Sequence, residues 1–344
     1  MSTPLKFALI GCGSASLVHL PAWREVPGAQ LVAVCDLDLK RAESAAAHRE
    51  GVTIYADAEK MLNGEELDFV DLTTPVEPRI ALVELCAKHK KHVICETPYA
   101  TSIAEAKTLN TLCRDAGVRV MVHESLRFQP AMRAVKAALS HAEAGKLYHG
   151  RISFRGPAAM LTAQPGSETQ EHLALQRYGL HLLDLARYFF GDVKGLFAQS
   201  QTVNTNLKGE DIATLVLRSA SGASCAIDVN FASPVETVPS ISMMLECEGG
   251  FVELRPDFSL HKNIRGVVES TSLSSGAAPM STPFPGLPFA WDAHFAATVA
   301  IQTHWVDALR ANTPPETSGS DNQRSLALLI GAYESARTRQ TYTP

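Results

Sequence analysis

The 344-residue chain contains no run of the ~18 or more apolar residues that a membrane-spanning helix requires, and no segment crowded with Lys and Arg. Basic residues number 31 against 36 acidic ones, a formal charge of -5, so no basic track is available for a nucleic-acid backbone. No internal repeat is visible. The seven cysteines (Cys12, Cys35, Cys86, Cys95, Cys113, Cys225, Cys247) include no C-x-x-C pair, which argues against structural zinc or a dithiol redox centre. They read as small core hydrophobes in a reducing compartment. Leu9-Ile10-Gly11-Cys12 looks like a lipoprotein cleavage site, but the apolar run before it, Phe7 to Ile10, is shorter than a signal core of ~7 to 15 residues. The expectation is a cytoplasmic protein with neither nucleic-acid nor membrane partners.

Hydrophobic residues make up 46% of the chain and charged residues 19%, enough apolar material for packed cores. A length beyond the ~250 to 300 residues at which single cores stop growing predicts two domains, placed at 1–122 and 123–344. In the first, the apolar runs Phe7–Ile10, Leu31–Cys35, Val52–Tyr55, Phe69–Leu72, Val93–Cys95 and Val118–Val122 alternate with helical patterns. Those helices include Leu39–Glu50, Ile80–His89 and Ile103–Ala116, the last capped by Ser102 and ended by Gly117. This order is that of a parallel sheet wound with crossover helices, and strands that are apolar throughout are strands covered on both faces.

Beyond Val122 the pattern changes. A helix is expected over Arg127–Leu139, then strands at Arg151–Phe154, Thr214–Leu217, Ala223–Phe231, Ser242–Glu246 and Phe251–Leu254, joined by glycine turns into an antiparallel meander. Helices are expected at Tyr178–Phe190, Phe295–Leu309 and Asn322–Arg337, and a long surface loop over Gly266–Leu287. The fold class is thus α/β plus α+β: a Rossmann doubly wound parallel sheet followed by an open, mostly antiparallel sheet with flanking helices.

Gly11-Cys12-Gly13-Ser14-Ala15-Ser16 leaves the first strand and opens a helix, the context in which a glycine pattern binds a dinucleotide. Gly11 allows the tight turn, Gly13 lets the backbone approach the pyrophosphate, and the amides of Ser14 and Ala15 begin the helix N-terminus that receives it. Ser16 keeps a small side chain where a third glycine is usual. Asp36 ends the second strand, at about the ~20-residue spacing from which a carboxylate reaches the ribose hydroxyls. That favours NAD, with NADP left possible by the nearby Lys40 and Arg41.

Several further segments carry a resemblance: His19-Leu20-Pro21, Thr73-Thr74-Pro75, Lys91-His92-Val93-Ile94-Cys95-Glu96-Thr97-Pro98, Arg127-Phe128-Gln129-Pro130, Gly179-Leu180-His181-Leu182-Leu183-Asp184, Gly209-Glu210-Asp211 and Tyr333-Glu334-Ser335-Ala336-Arg337. In this order the chain resembles the Gfo/Idh/MocA family, typified by glucose-fructose oxidoreductase and inositol dehydrogenase. The resemblance implies a nucleotide-binding first domain, a second domain with an open, largely antiparallel sheet, a substrate cleft between them, and a homodimer or homotetramer formed through the second sheet. The expected sign of that interface is apolar residues on both faces of Ala223–Phe231, with Cys225, Ile227 and Val229 opposed to Ala226 and Phe231. It also implies cofactor contacts from Gly11, Gly13, Ser14, Ala15, Asp36, Thr73, Thr74, Pro75, Arg79, Glu96, Thr97 and Arg127.

The catalytic set departs from the family pattern. The lysine of its Glu-Lys-Pro motif is Thr97, the acid four places before His181 is Arg177, and a His after the Thr-Pro turn is Arg79. Hydride transfer from an alcohol needs a group that takes the hydroxyl proton, and the resemblance leaves His181 for that role, with Thr97 as a polar contact and Tyr99 either a phenol in the site or core. Arg79 and Arg177 suggest a cationic site for a sugar acid or hydroxy acid; the alternative pairs them with Glu77, Glu171 or cofactor phosphates. His123, Glu124 and His172 lie near the motifs without a recognisable metal spacing, so no metal is expected. Trp23, Trp291 and Trp305 read as packing residues. The function implied is NAD(P)-dependent oxidation of a polyol, sugar or sugar acid; the alternatives are an impaired cofactor-binding sensor or partner subunit, and a lyase or hydrolase that uses NAD.

Overall fold

Six strands form the first sheet: β1 (Leu5–Ile10), β2 (Ala29–Cys35), β3 (Thr53–Tyr55), β4 (Phe69–Leu72), β5 (His92–Cys95) and β6 (Val120–Val122), all parallel, in the order β3-β2-β1-β4-β5-β6. This computed structural model describes residues 3–162, 166–236, 238–273 and 288–344, with side chains from 292 in the last stretch. The order reverses between β1 and β4, the switch point at which open α/β sheets bind ligands. The helices follow the expected pattern: Ser102 caps Ile103–Asp115 by accepting the Glu105 amide, and Gly117 turns the chain at φ +72°.

The chain divides into two compact units, one of residues 1–128 and 295–326, the other of residues 129–294 and 327–344. The expected single break after residue 122 had placed 295–326 in the second domain. The reason for the difference lies in packing. Ala297, Ile301, Trp305 and Val306, on the helix Pro288–Arg310, complete the core formed by Phe7, Trp23, Phe69, Ile94 and Met121. No sequence period reveals which sheet a late helix covers.

The second unit holds eight strands: β7 (Leu147–Arg155), β8 (Val193–Gln201), β9 (Ile212–Ser219), β10 (Ser224–Asn230), β11 (Ser240–Cys247), β12 (Gly250–Leu254), β13 (Ser259–Ile264) and β14 (Val267–Ser272). Their order is β14-β13-β12-β11-β7-β10-β9-β8. The sheet is mostly antiparallel but not a simple meander, because β7 inserts between β11 and β10 and runs parallel to β10. Strands β8, β13 and β14 were not expected. The fully exposed edge strand β14 occupies part of the loop expected over Gly266–Leu287, whose remainder, 274–287, lies outside the described residues. Cys225, Ile227 and Val229 share the buried face of β10, Phe231 just past its end is buried as well, and the other face offers Ser224, Ala226, Asp228 and Asn230. The expected two-sided apolar strand is therefore not found, since residues two apart point the same way. No helix among the described residues is long and apolar enough to cross a membrane.

Candidate active site

The carboxyl ends of β1, β2, β4 and β5 bring the glycine turn and three later loops together. Gly11 has φ +98°, and a Cβ there would lie 2.8 Å from Thr74 Cγ2 and 2.9 Å from Thr74 N, so both conformation and close approach demand glycine. At Gly13 a Cβ would meet nothing within 4 Å. That open flank, beside the exposed Ser14 and half-buried Ala15 where the helix Ser16–Arg24 begins, fits a pyrophosphate. The Ser16 hydroxyl closes the turn by donating to Gly13 O at 2.6 Å.

Asp36 is fixed against this turn. Its Oδ2 accepts the Cys12 amide at 2.7 Å and its Oδ1 accepts the Asp38 amide at 2.8 Å. Burial, helped by the same carboxylate, pushes the Cys12 thiol up to about 12, so that sulfur stays neutral. Across the turn, Thr73 donates from its hydroxyl to Gly11 O, and Thr74 carries a buried hydroxyl oxygen with no hydrogen-bond partner. An orphaned hydroxyl beside an open cradle suits a site completed by a polar ligand. Pro75 stands exposed at the start of the next helix, Val76–Lys88.

Arg79 is turned onto the backbone. Only 2% exposed, it donates to the carbonyls of Thr74, Glu96 and Pro98, tying the loops that leave β4 and β5 into one frame. The cationic site suggested for this arginine is corrected accordingly, and Glu77 is not its partner. Arg127 is likewise buried, with Nη2 2.8 Å from Asp321 Oδ2. Tyr99 is fully buried core, its phenol pushed up by burial. The Thr97 amide donates to Glu96 Oε2 at 3.2 Å.

Beneath Glu96 lies a cluster that the motifs hid. His19, on the first helix, has Nδ1 2.9 Å from Asp71 Oδ2 and Nε2 2.7 Å from Glu96 Oε1. Trp23, expected only to pack, donates its indole N–H to the same Asp71 oxygen at 2.7 Å. His123 lies against His19 with ring centroids 4.2 Å apart and planes tilted by 34°, and its Nδ1 lies 3.7 Å from Glu96 Oε1. Burial works to lower the His19 pKa, but Asp71 and Glu96 overcome it and raise the ring to about 10. Burial likewise favours protonation of Glu96, yet His19, His123 and Arg79 hold it well below the usual carboxylate range. The missed signal was Asp71 itself, a carboxylate in a strand whose four residues are all buried.

The second unit carries the remaining candidates. A π-turn, Leu175–Gly179, runs into the helix Leu180–Phe190, a local irregularity frequent at functional sites. Arg177 lies in this turn and His181, half-buried, in the first turn of the helix. Arg177 donates to Leu161 O at 2.5 Å, Ser167 Oγ at 2.9 Å and Gln170 Oε1 at 3.0 Å. Glu171 pairs instead with Lys208 at 2.7 Å. His172 stacks on Tyr333, whose hydroxyl donates to Glu210 Oε1 at 2.9 Å; Glu210 also accepts the amides of Leu173 and Leu175. These contacts give the Gly209-Glu210-Asp211 and Tyr333 motifs a structural role: they pin the segment that carries Arg177 and His181. Trp305 is buried core, and the Trp291 side chain lies outside the described residues.

A doubly wound sheet, a glycine turn open to a diphosphate and a carboxylate fixed beside it define an NAD(P)-dependent oxidoreductase. Residues 5–124 match the oxidoreductase family described as an NAD-binding Rossmann fold, and residues 132–253 match the GFO/IDH/MocA C-terminal domain. The chain belongs to the Gfo/Idh/MocA family. It is 38% identical, over 98% of its length and 88% of the relative, to a D-apiose dehydrogenase from Paraburkholderia graminis. A D-apiose dehydrogenase from Rhizobium rhizogenes is 36% identical over 98% of this chain and 97% of its own. Among solved structures, an oxidoreductase from Agrobacterium radiobacter in complex with NAD+, L-tartaric acid and magnesium superposes with a TM-score of 0.91 at 34% identity, covering 99% of this chain and 98% of that one.

Proposed function

We propose that the protein oxidises a hydroxyl of a small neutral sugar with NAD+, as a pentose-type sugar dehydrogenase. The observation that carries this reading is the 38% identity, over nearly the whole chain, to a D-apiose dehydrogenase. NAD+, when bound, supplies the hydride acceptor. Gly11, Gly13, Ser14 and Ala15 bind its diphosphate; Asp36 binds the adenosine ribose and disfavours a 2'-phosphate. Thr73, Thr74 and Pro75 wall the same groove, and Glu96 and Thr97 line its far half. His181 takes the hydroxyl proton as the hydride leaves, and Thr97 orients the sugar through its hydroxyl, which has no accessible pKa of its own. A neutral substrate is favoured over an acid because both proposed anion-binding arginines already serve protein acceptors, Arg79 the carbonyls of Thr74, Glu96 and Pro98, and Arg177 the oxygens Leu161 O, Ser167 Oγ and Gln170 Oε1. The outer face of the second sheet is the proposed contact for self-association.

The test follows nicotinamide absorbance with D-apiose, other pentoses, myo-inositol and L-tartrate, for the wild type and for His181→Ala and Thr97→Lys. Turnover of a neutral sugar, reduced ~10² to 10⁴-fold in His181→Ala, is expected. Binding of NAD+ without turnover of any sugar would favour the impaired sensor that Thr97 suggests, and preference for tartrate would return the acid reading through Arg177.

A further inference from the structure

The buried group of His19, Asp71, Glu96 and His123 exceeds what holding a loop requires. Asp71 Oδ2 accepts from Trp23 Nε1 and lies 2.9 Å from His19 Nδ1, so that ring nitrogen carries a proton. The other nitrogen faces Glu96 Oε1 at 2.7 Å, while Glu96 Oε2 accepts the Thr97 amide. A neutral ring protonated on Nδ1 would set a lone pair against the carboxylate; the doubly protonated ring satisfies both oxygens. Glu96 is the member that reaches outward, with its side chain 25% exposed against 2% for His19.

A dinucleotide lies with one half on each side of the β1/β4 switch point. Asp36, at the end of β2, marks the adenosine side, which puts Glu96, at the end of β5, on the nicotinamide side. We infer that His19 is a positioning residue that holds Glu96 as an oriented, partly compensated carboxylate on the nicotinamide side, and that its imidazolium limits the preference for oxidised over reduced cofactor that this carboxylate creates. The inference rests on the cofactor reading above. Its physics is simple: the oxidised ring is cationic and the reduced ring neutral, so a carboxylate favours the first and an imidazolium opposes it.

The experiment measures Kd for NAD+ and for NADH by calorimetry in the wild type, His19→Gln and Glu96→Gln. Removing the imidazolium raises the ratio Kd(NADH)/Kd(NAD+) on the order of tenfold, the size of one charge felt at an effective dielectric of about 20. Glu96→Gln lowers the ratio by a similar factor. Opposite signs are the signature, because general damage to the loop moves both variants the same way. Nitrogen-15 spectra of the wild type are expected to show both His19 nitrogens protonated at neutral pH, a readout that remains if His19→Gln fails to fold. An unchanged ratio in either variant, shifts of one sign, or a singly protonated His19 overturns the inference. So does a stoichiometric metal in the purified protein that His19→Gln releases, since His19, Glu96 and His123 offer ligand atoms within 4.8 Å of one another. A wild type that binds neither nucleotide defeats the cofactor reading instead, and takes this inference with it.

Discussion

Asp36 is built to be a carboxylate in one orientation, since two backbone amides, from Cys12 and Asp38, each hold one of its oxygens. Ribose hydroxyls donating to a fixed charge make hydrogen bonds of roughly 1.5 to 3 kcal/mol. Asp36→Ala is therefore expected to weaken NAD+ about 10- to 100-fold in Kd and to narrow the preference over NADP+, because the charge opposing a 2'-phosphate goes with it. Calorimetry with both nucleotides checks this, and unchanged discrimination would remove Asp36 from the site. Arg79 invites the opposite kind of test. Buried and bonded to the carbonyls of Thr74, Glu96 and Pro98, it leaves three acceptors unsatisfied when removed. Arg79→Met should cost about 3 kcal/mol or more in a urea titration, whatever substrate is present. A variant as stable as the wild type would show that water replaces those bonds.

The turn between β1 and the first helix separates shape from binding at two neighbouring glycines. Gly11→Ala forces a side chain into φ +98° against the Thr74 backbone, and should lose stability by about 2 kcal/mol or more along with the cofactor. Gly13→Ala meets no protein atom within 4 Å, so the melting temperature should hold while NAD+ affinity falls, because the methyl occupies the proposed path of the diphosphate. Equal affinity for Gly13→Ala and wild type would place the diphosphate elsewhere. This element was legible in sequence because its chemistry is local: strand, glycine turn and helix are consecutive. The buried strands of the first sheet were legible for a related reason, since Phe7–Ile10 and Phe69–Leu72 are apolar almost throughout. Edge strand β14, with Val267 and Val268 exposed among polar residues, carries no such pattern. Nor does the His19 cluster, whose four side chains come from the first helix, β4 and the ends of β5 and β6. Arg79 was misread for the same reason, because the three carbonyls it serves lie up to 19 residues away.

At the scale of the whole molecule, the same cluster shapes the pH dependence of unfolding. His19 is raised from 6.5 to about 10 in the folded chain by Asp71 on β4 and Glu96 after β5, against the pull of burial and with His123 tilted against its ring. A group whose folded pKa lies above its unfolded value binds an extra proton in the native state between the two. Its contribution is complete below about 6.5, declines through the interval at up to ~1.4 kcal/mol per pH unit, and is gone above about 10. Glu96 acts in the other direction, because a depressed carboxylate stabilises above its unfolded pKa and loses that contribution as acid protonates it. The wild type should accordingly be most stable from just above the carboxylate range to about pH 6.5, with an alkaline limb that begins far below the lysine range. Urea midpoints taken every half unit from about pH 5 to 10, for wild type and His19→Gln, test this. The variant should lie below the wild type at pH 6 and converge on it towards pH 10, whereas parallel curves would mean that His19 is neutral in the folded protein.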